Sequence, residues 1–379
     1  MARRASLTTY RRSPHLVTYW QDRWLIAHNY ATHAVALLPP GAIALLDFFT
    51  DWQTAAHYAA ASGVTRTAAQ REIDALVDQH ALESSQRAPS PAERAMAQWE
   101  RWNPAAGFFH SATRDVRFAT ITQSSRRLRR KAREQPPPSP VKRYRGARSV
   151  ALPRVAATSE LPRVLLERRT WRRFSKKPLP LASLATLLGL TGGVHDWLHI
   201  PGQGELPLTT SPSGGARNPI ELYVWVRRVT GLAPGFYHYA ADRHRLELLK
   251  RHGVPVSVQR YIPTQYWFEG AAALVFFSAV FERYQWKYRY ARAYRASLIE
   301  AGHRCQSFCL AATWLALAPF CTMALADSDI DGDLGLDGVS ESVLYAAGVG
   351  VRPRGDAVRS TPEGFAPARI TRNHRVFSR

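Results

Sequence analysis

Residues 211–223 constrain the fold of this chain more than any other segment, because a polar turn runs directly into an apolar stretch. The turn holds two serines and the adjacent Gly214 and Gly215, and residues 222–229 are typical of a β-strand. Adjacent glycines lack Cβ atoms, so the backbone can approach a flat ligand closely. Serine hydroxyls can bond to the polar edges of such a ligand. Taken alone, the pattern equally fits an ordinary turn before a strand.

A second polar cluster lies upstream, at residues 168–174. Arg168, Thr170 and Arg172 alternate there, which places two guanidinium groups and a hydroxyl at every second position. Guanidinium groups bind phosphate oxygens through paired hydrogen bonds, and a hydroxyl can add another. The cluster therefore predicts a phosphate site.

The length and hydropathy of the chain point to a globular protein of about two domains. The chain has 379 residues, of which 46% are hydrophobic. No apolar run approaches the roughly 20 residues of a membrane span, so we expect no membrane association. Residues 1–20 contain four arginines but no apolar segment of the kind found in signal peptides. We expect a cytoplasmic protein.

The three cysteines, Cys305, Cys309 and Cys321, lie in one apolar region. Three cysteines cannot form a closed set of disulfides, and no CxxC pair is present. Cys305 and Cys309 are four residues apart and would share one helix face. Because no further ligand is apparent, we expect buried thiols and no metal site.

The net charge of +22 raises the possibility of nucleic-acid binding, but much of it lies in one segment. Residues 126–148 contain ten Lys or Arg and one acid, Glu134, together with four prolines that prevent a continuous helix. We interpret residues 91–157 as a basic, proline-rich linker. Its charge suits an acidic peptide, RNA or a membrane surface, but we favour the simpler interpretation of a solvated linker.

Residues 1–90 predict a winged-helix-like module of two strands followed by three short helices. The third helix, over residues 68–79, would begin at a cap from Thr65 or Thr67. Residues 65–83 hold two bases and four acids, which is the wrong balance for a helix among phosphates. We therefore expect a peptide-binding module, whose strand edge can accept an extended peptide, and no nucleic-acid partner.

Residues 158–379 predict the second domain, in which helices and strands are mixed rather than strictly alternating. This order favours an α+β fold with a central sheet flanked by helices. The Ala-rich segment 294–317 predicts a long helix buried in a core or in a subunit interface.

Residues 160–352 resemble the nitroreductase fold, and more narrowly the SagB-type dehydrogenases. Four blocks in matching order carry the resemblance: 168–174, 211–223, 231–239 and 299–306. Members of that family are FMN-dependent oxidases that mature ribosomally made peptides by oxidising thiazolines and oxazolines to thiazoles and oxazoles. The family often has an N-terminal winged-helix-like module as well.

The resemblance implies which residues bind FMN. Arg168, Thr170 and Arg172 correspond to the phosphate-binding block. The remaining candidates line the ring or flank the phosphate: Ser211, Ser213, Gly214, Gly215, Thr322, Met323 and Arg352. This chain departs from the family in one place, because residues 321–327 contain no glycine where the family usually has a glycine-rich turn.

Lys287 and Tyr288 resemble the Lys-Tyr pair that azoline oxidases of this family carry near the flavin. Oxidation of an azoline requires removal of a proton from Cα. A lysine desolvated beside Arg289 and Arg292 can serve as the base. Tyr288 can relay a proton or position the ring. A plainly solvated Lys287 is the alternative.

The resemblance also implies partners. We expect a precursor-peptide substrate whose leader is held by the N-terminal module, a cyclase partner and a homodimer. Two other functions stay open at this point. One is a flavin-dependent reductase of the same fold that acts on dehydroamino acids or nitroaromatics, and the other is a non-catalytic peptide-binding scaffold.

Overall fold

The computed structural model describes residues 7–39, 41–142, 146, 148, 150–251, 256–354 and 376. The chain forms two compact units. The first consists of Met1–Arg114 and Phe281–Arg295, and the second of Asp115–Val280 and Ala296–Arg379. The division into residues 1–90, 91–157 and 158–379 stays a prediction.

The first unit combines two small antiparallel sheets with short helices. One sheet has the order β5-β1-β6 and the other the order β2-β3-β4. The strands are β1 (Thr9–Arg12), β2 (Leu16–Gln21), β3 (Trp24–Asn29), β4 (Ala34–Leu38), β5 (Gln53–Thr54) and β6 (Leu82–Ser84). The helices are α1 (Ala42–Phe48), α2 (Ala55–Ser62), α3 (Arg66–Asp78), α4 (Pro91–Ala97), α5 (Ala105–Ala112) and, after the strands of the second unit, α9 (Glu282–Gln285).

Local sequence signals place the helices α2 and α3. Gly63 ends α2 with a φ of 70°, a left-handed conformation that glycine adopts without a steric cost. Thr65 then caps α3, since its hydroxyl accepts a hydrogen bond from the Ala68 amide at 3.2 Å. Ile73 and Leu76 are buried on the inner face of α3. The capping by Thr65 and the buried face are confirmed.

The second unit is built on a six-stranded sheet with the order β11-β10-β9-β12-β14-β13, in which neighbouring strands are antiparallel. Its strands are β9 (Ile220–Val226), β10 (Gly235–Ala240), β11 (Arg245–Arg251), β12 (Ala273–Val280), β13 (Leu317–Thr322) and β14 (Glu341–Val351). A separate hairpin pairs β7 (Val194–Ile200) with β8 (Gly204–Thr209). The helices are α6 (Ile121–Glu134), α7 (Glu160–Glu167), α8 (Leu181–Gly192), α10 (Tyr294–Trp314) and α11 (Asp327–Leu334).

The core of the second unit lies on the central strands of this sheet. Strand β12 is buried over almost its whole length, and Trp225 on β9 packs edge-on against Tyr261 with ring centroids 4.9 Å apart. Strands that are nearly continuously apolar are typical of a sheet covered on both faces. The predicted α+β fold is confirmed.

The long helix ends earlier than the hydrophobicity predicts. Helix α10 stops at Trp314, and Ala316 has a φ of 56°, which a right-handed helix does not allow. The following apolar residues form the edge strand β13. An Ala-rich apolar run has no periodicity that separates a buried helix from a buried strand. The sequence therefore does not show where the helix ends and the strand begins.

The basic segment begins as a regular helix. Helix α6 starts at a capping box formed by Thr120 and Gln123 and ends at Glu134, before the first of the prolines. Arg143 and Arg145 of the predicted basic run lie outside the described residues. None of the helices in the described part of the chain combines the length and the hydropathy that a bilayer crossing requires.

Candidate functional site

The turn before strand β9 is shaped by its own hydrogen bonds. The Asn218 amide donates to Ser213 Oγ at 2.8 Å, and the Ala216 amide donates to the Ser213 carbonyl at 3.1 Å. Gly215 has a φ of 60°, which suits glycine. Gly214 and Gly215 are exposed. The turn therefore exposes Gly214 and Gly215, and the two hydrogen bonds to Ser213 fix its backbone.

Helix α10 anchors this turn from the inside of the fold. Ser211 is buried, and its Oγ lies 2.9 Å from Ser307 Oγ on α10. Arg304 on the same helix donates to Asn218 Oδ1 at 2.7 Å. It also donates to the Gly192 carbonyl at 3.4 Å. The turn is thus held at both ends by one helix.

Arg304 itself is fully enclosed and carries a charge that needs compensation. Its side chain and that of Glu300 are each 3% exposed, and Arg304 Nη2 lies 3.8 Å from Glu300 Oε1. A buried cation is retained only when its charge and its hydrogen bonds are matched. Sequence reasoning missed this residue as part of the site. A Glu and an Arg four residues apart within an apolar helix were the available signal.

The predicted phosphate segment follows helix α7 and is attached to the main sheet. Trp171 is buried, and its amide donates to the Pro319 carbonyl of β13 at 2.9 Å. Arg168, Thr170 and Arg172 are half-buried on either side of it. The anchored tryptophan fixes the backbone from which these polar side chains extend.

Arg172 is the member of this cluster whose hydrogen bonding is incomplete. Its Nε is buried and has no hydrogen-bond partner among the described residues. Burial lowers the pKa of Arg172 from its usual value. Buried donors are almost always paired in native proteins. An unpaired guanidinium nitrogen therefore fits a site that an anionic group completes.

Arg352 lies beside the same tryptophan but is already engaged. Its Nε donates to the Leu317 carbonyl at 2.7 Å, and Nη2 donates to the Thr313 carbonyl at 3.1 Å. Its guanidinium stacks over the Trp171 ring at 5.2 Å from the centroid. Burial lowers the pKa of Arg352, and the negative charge of Glu167 opposes that shift. Arg352 thus holds the end of α10 to the phosphate segment.

Thr322 and Met323 lie where strand β13 ends. Thr322 is buried, and its hydroxyl accepts a hydrogen bond from the Ala324 amide at 3.1 Å. Met323 is 69% exposed, which is unusual for a methionine. The buried hydroxyl gives this turn a definite shape without glycine.

Lys287 and Tyr288 belong to the first unit, whereas the residues above belong to the second. The Tyr288 carbonyl accepts a hydrogen bond from Trp102 Nε1 at 2.8 Å. Lys287 Nζ lies 5.7 Å from the centroid of the Tyr288 ring. The segment after α9 lies at the surface, and Lys287 is exposed. The first unit therefore does not supply the desolvation of Lys287 that the sequence predicts.

An aromatic cluster fixes the segment that carries this pair to the N-terminal part of its unit. Trp99 packs on Phe281 with ring centroids 4.9 Å apart. His110 Nδ1 lies 2.9 Å from the Tyr294 hydroxyl. Trp99, Phe281 and Tyr294 are buried. The pair is thus carried by a segment that is anchored at both of its ends.

The first unit also contains a cleft beside an edge strand. The cleft has a volume of about 610 Å³ and lies between Leu16 and Thr18 on β2 and Ile43 and Leu46 on α1. Strand β2 forms one edge of its sheet. Edge strands offer unpaired backbone groups to an added strand. The cleft is a candidate peptide site.

A known protein family and two curated relatives match part of this chain. Residues 165–351 match the family model described as "Nitroreductase family". The chain is 32% identical, over 171 residues, to "Putative nitroreductase MJ1384" of Methanocaldococcus jannaschii, covering 45% of this chain and 82% of that protein. It is 31% identical, over 180 residues, to "Trifolitoxin-processing protein TfxB" of Rhizobium leguminosarum bv. trifolii, covering 45% of this chain and 48% of that protein.

A likeness in fold extends over more of the chain. One chain of the solved E. coli microcin synthetase McbBCD complex with truncated pro-MccB17 bound matches with a TM-score of 0.50 and 20% identity. The match covers 71% of this chain and all of that one. In contrast, the alignment with TfxB spans about half of that protein's length.

Proposed function

Because the chain belongs to the nitroreductase family, whose members are generally flavin-dependent oxidoreductases, we propose that it is an FMN-dependent dehydrogenase of peptide maturation. Its substrate would be a ribosomally made precursor peptide, and its reaction the oxidation of thiazoline or oxazoline rings to thiazoles or oxazoles. The narrower assignment to the SagB type is part of this proposal. Similarity to a protein named for processing trifolitoxin supports the peptide substrate.

The buried Arg172 Nε, for which the described part of the chain supplies no hydrogen-bond partner, is the observation that carries the cofactor assignment. Arg168, Thr170 and Arg172 would hold the FMN phosphate through charge-assisted hydrogen bonds. The turn formed by Ser211, Ser213, Gly214 and Gly215 would lie against the ring, with Thr322 and Met323 as further contacts. Arg352 would contribute its positive charge, since two of its nitrogens already bind carbonyl groups.

The reaction removes one proton and one hydride from neighbouring carbons of the azoline ring. Bound FMN supplies the acceptor for the hydride, and oxygen would be the final acceptor of the electrons. We assign the proton at Cα to Lys287, whose amino group would accept it when it is in the neutral, deprotonated form. Tyr288 would orient the ring through its hydroxyl.

The first unit would recognise the precursor. An extended leader would lie in the cleft between β2 and α1, where the strand edge would provide backbone hydrogen bonds and the exposed Ile43 an apolar contact. A cyclase that forms the azoline would act before this enzyme. The long helix α10, on which Ile299 is exposed, would contribute to a homodimer interface.

The proposal is tested with the purified full-length protein. We expect it to bind FMN, with the absorption spectrum of an oxidised flavoprotein, and to sediment as a dimer. An azoline-containing precursor should bleach the flavin in the absence of oxygen and lose two hydrogens per ring, faster with its leader than without it. A colourless protein that does not bind added FMN contradicts the cofactor assignment. A monomer that holds FMN contradicts the proposed homodimer.

The alternative reductase is distinguished by the direction of electron flow. Rapid bleaching of the flavin by NADPH, with no bleaching by the azoline peptide, would replace the oxidase assignment with a reductase of the same fold. Absence of either reaction in a flavin-loaded protein that binds the peptide would support a scaffold.

Replacement of Arg172 by alanine tests the phosphate site. Loss of charge-assisted hydrogen bonds should weaken FMN binding by about 1.5–3 kcal/mol, or roughly 10- to 150-fold, as measured by the quenching of flavin fluorescence. Arg173→Ala is the matched control, since Arg173 is exposed one residue away. Equal effects of the two substitutions would show that only the overall charge matters, and would remove Arg172 from the site.

A further inference from the structure

The three cysteines of the chain lie close together in the second unit. The sulfur atoms of Cys305, Cys309 and Cys321 all lie within 4.8 Å of one another. All three are free thiols. They form a cluster of potential metal ligands in which every member is a cysteine.

Two elements supply the sulfur atoms. Cys305 and Cys309 lie one helical turn apart on α10, so their side chains leave the same face. Cys321 lies on the edge strand β13. The first two are 2% and 3% exposed, and Cys321 is half-buried. The half-buried member leaves a route by which an ion can enter.

The spacing suits a tetrahedral zinc ion. Zinc–sulfur bonds of about 2.3 Å place two sulfur ligands on a tetrahedron about 3.8 Å apart. The present separations, at most 4.8 Å, therefore need to shrink by about 1 Å or less. Small rotations about the Cα–Cβ bonds can supply such a change without moving the helix or the strand.

The surroundings carry the charge that such a site requires. The positive charge of Arg168 acts on both Cys309 and Cys321. Tyr345 lies on strand β14, which pairs with β13. Groups that hydrogen-bond to metal ligands and balance their charge are a regular part of metal sites.

In contrast to the expectation from the sequence, we propose that Cys305, Cys309 and Cys321 bind one zinc ion as thiolates, with a water molecule in the fourth position. Binding replaces three thiol protons by one Zn²⁺ and releases those protons, so the site acquires a net charge of −1. No change in oxidation state is involved.

The ion would join helix α10 to strand β13. The same strand accepts the hydrogen bond from Trp171, and the same helix carries Arg304. Zinc would therefore stabilise the two elements that anchor residues 168–174 and the turn at residues 211–218. The zinc site does not depend on the proposed function, because its metal content can be measured in protein free of flavin.

The test uses the full-length protein, reduced under anaerobic conditions and freed of metal with a chelator. After exposure to Zn²⁺ and gel filtration, we expect one zinc per chain by elemental analysis. Co²⁺ should give the intense near-ultraviolet bands of thiolate-to-cobalt charge transfer. Zinc should also protect the three thiols from a thiol reagent in the wild-type protein, a measurement that requires no variant.

Cys309→Ser and Cys321→Ser should lose the stoichiometric zinc. His303→Ala is the control, because His303 is an exposed potential ligand on the same helix and should leave zinc binding unchanged. Reduced wild-type protein that takes up no zinc overturns the proposal. So does zinc that persists in the cysteine variants, or a disulfide in the isolated protein whose reduction does not restore binding.

Discussion

Replacement of Lys287 by alanine should slow the oxidation of an azoline peptide by about 100- to 10,000-fold, the usual contribution of a positioned general base. FMN binding should be unchanged, since Lys287 lies in the first unit and the candidate cofactor residues in the second. The measurement is the rate of flavin bleaching by the peptide in the absence of oxygen. This separates proton removal from reoxidation.

Two further variants decide what Lys287 contributes. Lys287→Arg keeps a long basic side chain but cannot accept a proton, because a guanidinium group stays protonated in proteins. It should therefore be as slow as Lys287→Ala, and small primary amines should partly rescue only the alanine variant. Arg283→Ala, an exposed position on α9, is the control. A Lys287→Ala enzyme with normal turnover would remove Lys287 from the mechanism.

Replacement of Arg304 by alanine should destabilise the protein by about 3–5 kcal/mol, because it leaves the buried Glu300 carboxylate without its cationic neighbour. It also removes the hydrogen bond to Asn218, which holds the turn. FMN affinity should fall together with stability. Chemical denaturation of the flavin-free protein, and FMN titration under native conditions, measure the two effects separately.

A double variant separates the stability of the fold from the shape of the turn. Glu300→Leu with Arg304→Met replaces the buried pair by apolar side chains and should regain most of the lost stability. Its FMN affinity should stay low, since Asn218 still lacks the hydrogen bond from Arg304. Arg295→Ala, an exposed arginine on α10, should change stability by no more than about 0.5 kcal/mol. Full recovery of FMN binding in the double variant would show that Arg304 does not position the turn.

Short-range features of the structure were predictable from the sequence. Thr65 caps α3 because its hydroxyl needs only an amide three residues away. The strands β9 and β12 are evident from their apolar runs, and α6 ends before Pro136 for a purely local reason. Each of these depends on neighbours within a few positions along the chain.

The features that escaped prediction depend on distant residues. Arg304 and Asn218 are separated by 86 positions, and nothing local to either indicates their contact. Cys321 joins Cys305 and Cys309 only because an apolar run that looks helical turns back as strand β13. The hairpin of β7 and β8 was missed because most of β7 is exposed and lacks a clear alternation of polar and apolar residues.

The packing of Phe281–Arg295 with the N-terminal residues bears on how such a protein can change during evolution. Residues 281–295 interrupt the second unit along the chain, yet their aromatic side chains complete the core of the first. A deletion of the first 114 residues would therefore strip Phe281 and Tyr294 of their partners. The N-terminal module and the loop with Lys287 and Tyr288 should therefore be gained, lost or exchanged together during evolution, although they are two separate segments of the sequence.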